Sequence, residues 1–247
     1  MKQGEARQAL AHLSSAQWGM LTTAQAVRQG VDRLQLGRFA AAGGLERLSH
    51  GVYRDAGSPP TEYDDLRAAW LSTDPSRTAE DRANDGPGGV VVGGATAAFL
   101  HQIGNLQPEP FTFLSETRHQ SQRPEIRHRR RTLAADDITI VQGLPVSTTE
   151  RTIADLVMDR EDLSLVVDVL GDAVRRAPVR LGHLVELLDP LSARNGHRTG
   201  DGRGLLEDLL ERGGMDDVLR SRTPGDGAEH TSDPLSGDRT DERTERR

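Results

Sequence analysis

The stretch LTTAQAVRQGVDRLQLGRFAAAGGLERLSHGVYRD, Leu21 to Asp55, decides how the fold is read. Thr22 or Thr23 can cap a short helix whose apolar face is Leu21, Ala24 and Val27, three residues apart as a helical stripe requires. Gly30 supplies a sharp turn, because glycine takes up positive φ without the steric cost of a Cβ. Asp32 is placed to cap a second helix with Leu36, Phe39 and Ala40 on one face, and Gly43 and Gly44 end it. Two short helices about a tight glycine turn make a helix-turn-helix. LERL and VYR then read as two strands around a turn at Ser49 to Gly51, which is a wing.

In that geometry the second helix enters the major groove of a duplex, and its non-core side chains Arg33, Gln35 and Arg38 point at base edges and phosphates. Arginine can bind guanine O6 and N7 with both arms of its fork, and glutamine can do the same for adenine N6 and N7. Arg47, His50 and Arg54 on the wing are within reach of adjacent phosphates, and Thr22 and Thr23 at the first helix start complete the candidate DNA-binding set. The competing reading is a protein-docking platform, in which the same side chains are solvated faces.

Outward from this module the charge is uneven. The 247-residue chain carries a formal −7, yet Met1 to Gly57 holds seven basic against four acidic side chains, a net +3. With 35% hydrophobic and only 3% aromatic residues, the core is expected to be smaller than the length suggests. There is no cysteine, so disulfides, thiolate metal sites and cysteine nucleophiles are excluded and a reducing compartment fits. MKQGEARQAL lacks the apolar run of a signal peptide, and no stretch approaches a membrane span, so a cytoplasmic location is expected.

Composition divides the chain into four parts: the winged helix at 5–57, a helix and flexible linker at 58–89, an α+β domain at 90–190, and a mostly disordered polar tail at 191–247. The helix is read at Glu62 to Leu71, and Ser72 to Gly89 is polar and without apolar periodicity, as in a flexible insert. Val90 to Val92, Phe111 to Leu114 and Ile138 to Val141 are strand candidates, with helices near Ala95 to Ile103 and Thr149 to Met158. The fold class is therefore α+β. Six arginines lie between Arg118 and Arg131. Of these, Arg127, Arg129, Arg130 and Arg131 are candidates for accessory phosphate contacts, the alternatives being a solvated hairpin or a partner for the acidic tail.

These motifs resemble the AbiEi family of antitoxins from type IV toxin-antitoxin, or abortive-infection, systems. Leu21 to Ala26, Gly30-Val31 and Gly51-Val52-Tyr53 look like the family's Thr-rich helix start, glycine turn and Gly-Val-Tyr wing. The likeness continues at Ala97 to His101 with Gly104 and at Gly143-Leu144-Pro145-Val146 through Thr152, covering roughly Ala11 to Val157. Gly93, Gly94 and Ala95 stand where the family usually has serines. The resemblance implies a phage-defence antitoxin that represses its own operon at inverted repeats. It also implies a neighbouring nucleotidyltransferase-like toxin, counteracted without a tight complex.

Enzyme classes lack their required parts. VVVGGATAAFLH, Val90 to His101, has the strand, Gly-Gly turn and helix of a nucleotidyltransferase, but Phe111 to Leu114 offers none of the carboxylates that would hold divalent ions. A nuclease Glu-x-Lys is absent, since the only lysine is Lys2. There is no Walker A, G-x-G-x-x-G or G-x-S-x-G sequence, and His101, His119 and His128 are too scattered for zinc. No catalytic residue, cofactor or metal is assigned. The partner expected is double-stranded DNA, with a stand-alone regulator or a docking module as the alternatives.

Overall fold

A computed structural model describes residues 2–119, 121–176, 178–215 and 218. The first unit is α1 (Gln3–Ser15), β1 (Met20–Thr22), α2 (Thr23–Arg28), α3 (Arg33–Ala41), β2 (Leu45–Ser49) and β3 (Val52–Asp55). The strands form an antiparallel sheet in the order β1-β3-β2. Both short helices begin at a reciprocal cap: Gln25 N donates to Thr22 Oγ1 (3.1 Å) and Gln35 N to Asp32 Oδ1 (2.7 Å). Gly30 turns at φ +82° and Gly43 ends α3 at φ +75°. The apolar face of α2 differs from the sequence expectation. Val27 is 47% exposed, and Gln25 and Ala26 are buried instead. In so short a helix the cap sets the rotation, and it turns Gln25 inward, where its amide binds Gln17 and the Arg77 carbonyl (2.8 Å).

α4 (Asp64–Thr73) packs on all three wing strands and reaches the central sheet through β5. Its Trp70 is buried and donates from Nε1 to the Val90 carbonyl (2.8 Å). The stretch 72–89, expected to be a flexible insert, follows a defined path containing α5 (Ala79–Ala83). Arg82 of α5 stacks on the Trp70 ring 3.5 Å from its centroid and donates to Trp70 O, and burial pushes its pKa down to about 10. Arg77 holds Asp85 with both arms at 2.7 Å. The segment is fixed by cation–π and ionic contacts, which leave no apolar period to read.

The second sheet has the order β6-β5-β4-β8-β7, built from β4 (Val91–Val92), β5 (Phe111–Ser115), β6 (Ile126–Arg130), β7 (Ile138–Val141) and β8 (Leu144–Ser147). β4 runs antiparallel to β5 and parallel to β8, β5 is parallel to β6, and β7 pairs with β8 as an antiparallel hairpin. The helices are α6 (Gly94–His101), α7 (Thr149–Asp159), α8 (Leu163–Arg176), α9 (Leu181–Leu188) and α10 (Gly202–Arg212). The molecule is thus a winged helix followed by a mixed α+β unit.

The tail expected from residue 191 is ordered well beyond that point. Two 3₁₀ turns and α10 follow, and Leu205, Leu206, Leu209 and Leu210 are all buried against α8 and α9. Four leucines at i, i+1, i+4 and i+5 give one helix face enough apolar area to fold back, despite the polar composition around them. Residues 216, 217 and 219–247 of that expected tail lie outside the described residues.

The Gly143 to Thr152 motif is structural in its contacts. Thr148 caps α7, Ser147 and Thr152 share a hydroxyl hydrogen bond (2.8 Å), and Arg151 binds Asp137 (3.2 Å) and Asp155 (3.1 Å). Burial raises the Asp155 pKa against the pull of Arg151 and Arg131. His101 donates from Nε2 to the Ser147 carbonyl (2.7 Å), and its burial holds the imidazole pKa below the ordinary value.

Two outcomes follow for stability. Leu206→Ala should cost about 2–5 kcal/mol in urea unfolding, as a buried leucine does and a residue of a loose tail does not. A histidine with a lower pKa folded than unfolded is protonated more readily in the unfolded chain. Stability from His101 is therefore full above about pH 6.5 and falls as pH drops through that value toward the folded pKa. His101→Gln, which keeps a donor for Ser147 O, should flatten this part of the urea-midpoint profile.

Candidate nucleic-acid interface

α3 turns Arg33, Leu34, Gly37 and Arg38 to solvent, and all four are exposed. Neither guanidinium has a hydrogen bond or ion pair among the described residues, so both keep every donor for an outside acceptor. Gln35 differs from the sequence expectation. It is half-buried, and its Oε1 accepts from Asp32 N (3.3 Å), so the side chain closes the helix start.

The wing tip carries Arg47 and His50, both exposed, with Arg47 Nη2 3.3 Å from His50 Nδ1. Arg54, expected to reach phosphate from the wing, is buried. β3 alternates, so Val52 and Arg54 share the inward face, and Arg54 forms ion pairs with Asp64 and Glu46. Burial works against its charge, but the two carboxylates outweigh that and hold its pKa above the ordinary value. Thr22 is also buried, with its hydroxyl capping α2 and donating to the Pro75 carbonyl. Thr23 is half-buried and its N–H donates to Gly51 O (2.8 Å), tying α2 to the wing turn.

Between α2, α3, the wing and the chain after α4 lies an open cavity of about 750 Å³. Arg28, Arg33, Arg47, His50 and Arg123 line it, with Thr23, Ser72 and Ser76, and no carboxylate does. Arg28 was not singled out from the sequence, and Arg123 only as one of the six arginines from Arg118 to Arg131. Arg28 donates to Ser76 O (2.6 Å), and Arg123 bridges Ser72 Oγ (2.8 Å) and His50 O (3.0 Å) across 73 residues of chain. A concave surface lined by cations focuses a positive potential, which attracts a phosphate backbone.

The expected accessory set divides. Arg131 pairs with Asp155 (3.4 Å) and Asp159, and Arg129 pairs with Asp159 (3.5 Å), so both are held within the fold. Arg127 and Arg130 are exposed, but Arg127 shares a cleft with Glu109, Asp159 and Glu161, whose charges oppose phosphate binding. Of the other histidines, His119 stacks on His128 with ring centroids 5.3 Å apart.

The sequence of this module has a known counterpart. Residues 8–54 match the AbiEi antitoxin family of transcriptional regulators. The matched span runs from within α1 to Arg54 and takes in α2, α3, β2 and most of β3. Over most of its length the chain is similar in fold to the crystal structure of the RV2827C protein from Mycobacterium tuberculosis. That likeness has a TM-score of 0.51 at 16% identity and covers 90% of this chain and 83% of the other. No curated protein matches the chain. Among the described residues no helix is long and apolar enough to cross a membrane.

Arginines of the winged helix thus fall into two classes with different costs. Arg54→Ala should lose about 3–5 kcal/mol in urea unfolding, because it removes the nearer of the two arginines beside the buried Asp64. Arg47→Ala, on the exposed wing tip, should stay within about 0.5 kcal/mol of the parent protein.

Proposed function

We propose that this chain is a DNA-binding transcriptional regulator of the AbiEi antitoxin type. α3 enters the major groove, the wing tip and the cavity cations hold the flanking phosphates, and the target is an inverted repeat upstream of its own operon. The observation that carries this is the pair of exposed, unpartnered arginines on α3 beside a basic cavity without carboxylates. The DNA-contacting set is Arg33, Arg38, Arg47 and His50 with Arg28 and Arg123, and Thr23 supplies the helix start. As an antitoxin it counters a nucleotidyltransferase-like toxin encoded nearby without a tight complex. It does so in the cytoplasm, and it has no catalytic group of its own. A protein-docking role for the same face would require a partner carrying carboxylates opposite each of these arginines, since a buried charge left unpaired is costly.

The test is a titration of the upstream duplex at several salt concentrations. Affinity should fall as a power of salt, with each phosphate contact adding about 0.9 to the slope, so Arg28→Ala should reduce the slope by roughly that amount. Arg38→Ala should weaken specific binding by about 1–3 kcal/mol if its fork reads a guanine. Arg127→Ala should change neither quantity. A slope near zero for the parent protein would remove the proposal.

A further inference from the structure

On the outward face of α3, Leu34 and Gly37 have no explanation within the fold. Leu34 is 65% exposed, more than the other large apolar side chains that stand out on the surface, Val27 at 47% and Ile140 at 55%. Gly37 stands in the middle of a nine-residue helix, where glycine is less favourable than alanine. A Cβ placed on Gly37 would meet no atom within 4 Å. Packing therefore does not require the glycine. Gly4 and Gly182 face open space too, but each stands in the first turn of its helix.

A surface pressed onto this face accounts for both residues. The positions 33, 34, 37 and 38 are i, i+1, i+4 and i+5, so they form one patch with an apolar centre and a guanidinium at each end. A protein partner would have to bring a carboxylate to each end of the patch and an apolar group between them, or leave Arg33 and Arg38 desolvated and unpaired. The edge of a duplex offers guanine acceptors or phosphates at the two ends and a methyl group between. Resting on the DNA-binding reading above, we propose that Leu34 and Gly37 are specificity-determining residues on the groove floor. Gly37 lets the α3 backbone approach the base edges, and Leu34 packs on the C5-methyl of a thymine flanked by the bases that Arg33 and Arg38 read.

The full chain is used to select a duplex from a randomised pool, and that duplex is also made with uracil in place of thymine. Gly37→Ala should raise the melting temperature by about 1–4 °C and yet weaken binding by roughly tenfold or more, since the methyl holds the helix off the bases. A structural role would move both readouts in the same direction. The parent protein should prefer thymine over uracil duplex by about fourfold for one methyl contact, and Leu34→Ala should lose that preference while folding normally. Undiminished binding by Gly37→Ala, or a thymine preference that survives in Leu34→Ala, overturns the assignment. If the parent protein selects no duplex at all, the DNA-binding reading fails with it; if the parent binds and both variants match it, only this assignment fails.

Discussion

A buried carboxylate, Asp64, fixes where the winged helix sits. It lies at the first residue of α4, accepts from Thr61 N (3.2 Å) and Thr61 Oγ1 (2.6 Å), and pairs with Arg54 from β3. Arg67, one turn further along α4, is 4.0 Å from the same carboxylate, donates to Gln142 O (3.0 Å) and lies over the rings of Trp18 and Tyr63. Charges this deeply buried are tolerated only when paired, so the contacts allow little freedom of position. Through them the wing, α4 and the β7–β8 turn are held as one piece.

That constraint separates the cations that support the fold from those left for a ligand. Arg54, Arg67, Arg82 and Arg151 are spent inside, each against a carboxylate, a carbonyl or an aromatic ring. Arg28 and Arg123 are intermediate. Arg28 gives one terminal nitrogen to the Ser76 carbonyl at the cavity wall, and Arg123 binds Ser72 Oγ and His50 O there while its Nε lies 3.9 Å from Glu125. Because Arg123 comes from just before β6 and grips the wing at His50, the cavity is assembled from both units of the chain. The α+β unit thereby fixes the angle at which the wing is presented.

How much of this the sequence disclosed depends on the range of the interaction. The caps at Thr22 and Asp32, the turn at Gly30 and the wing hairpin are decided within a few residues, and they were readable. The inward turn of Arg54 was also encoded, since Val52 must face the core and a strand repeats every second residue. Reading the arginine as a wing cation ignored that alternation. In the same way, Arg129 on β6 and Arg131 just past its end stand two apart while Asp155 and Asp159 stand four apart on α7, a pairing of periods that predicts contact once the two elements are placed together. No local pattern could give the order of 72–89 or the reach of Arg123. Both rest on polar and cation–π contacts that follow no apolar period and that reach, for Arg123, as far as His50.

The net charge of −7 is compatible with a duplex partner because of where the acids are. Asp64, Asp137, Asp155 and Glu150 are buried and spent on Arg54, Arg151, Arg131 and Arg180. In salt water a charge is felt over about 8–10 Å. An approaching phosphate thus responds to the cavity and the face of α3, and hardly to the total. An acidic chain can present a cationic site when many of its carboxylates are consumed in folding the scaffold.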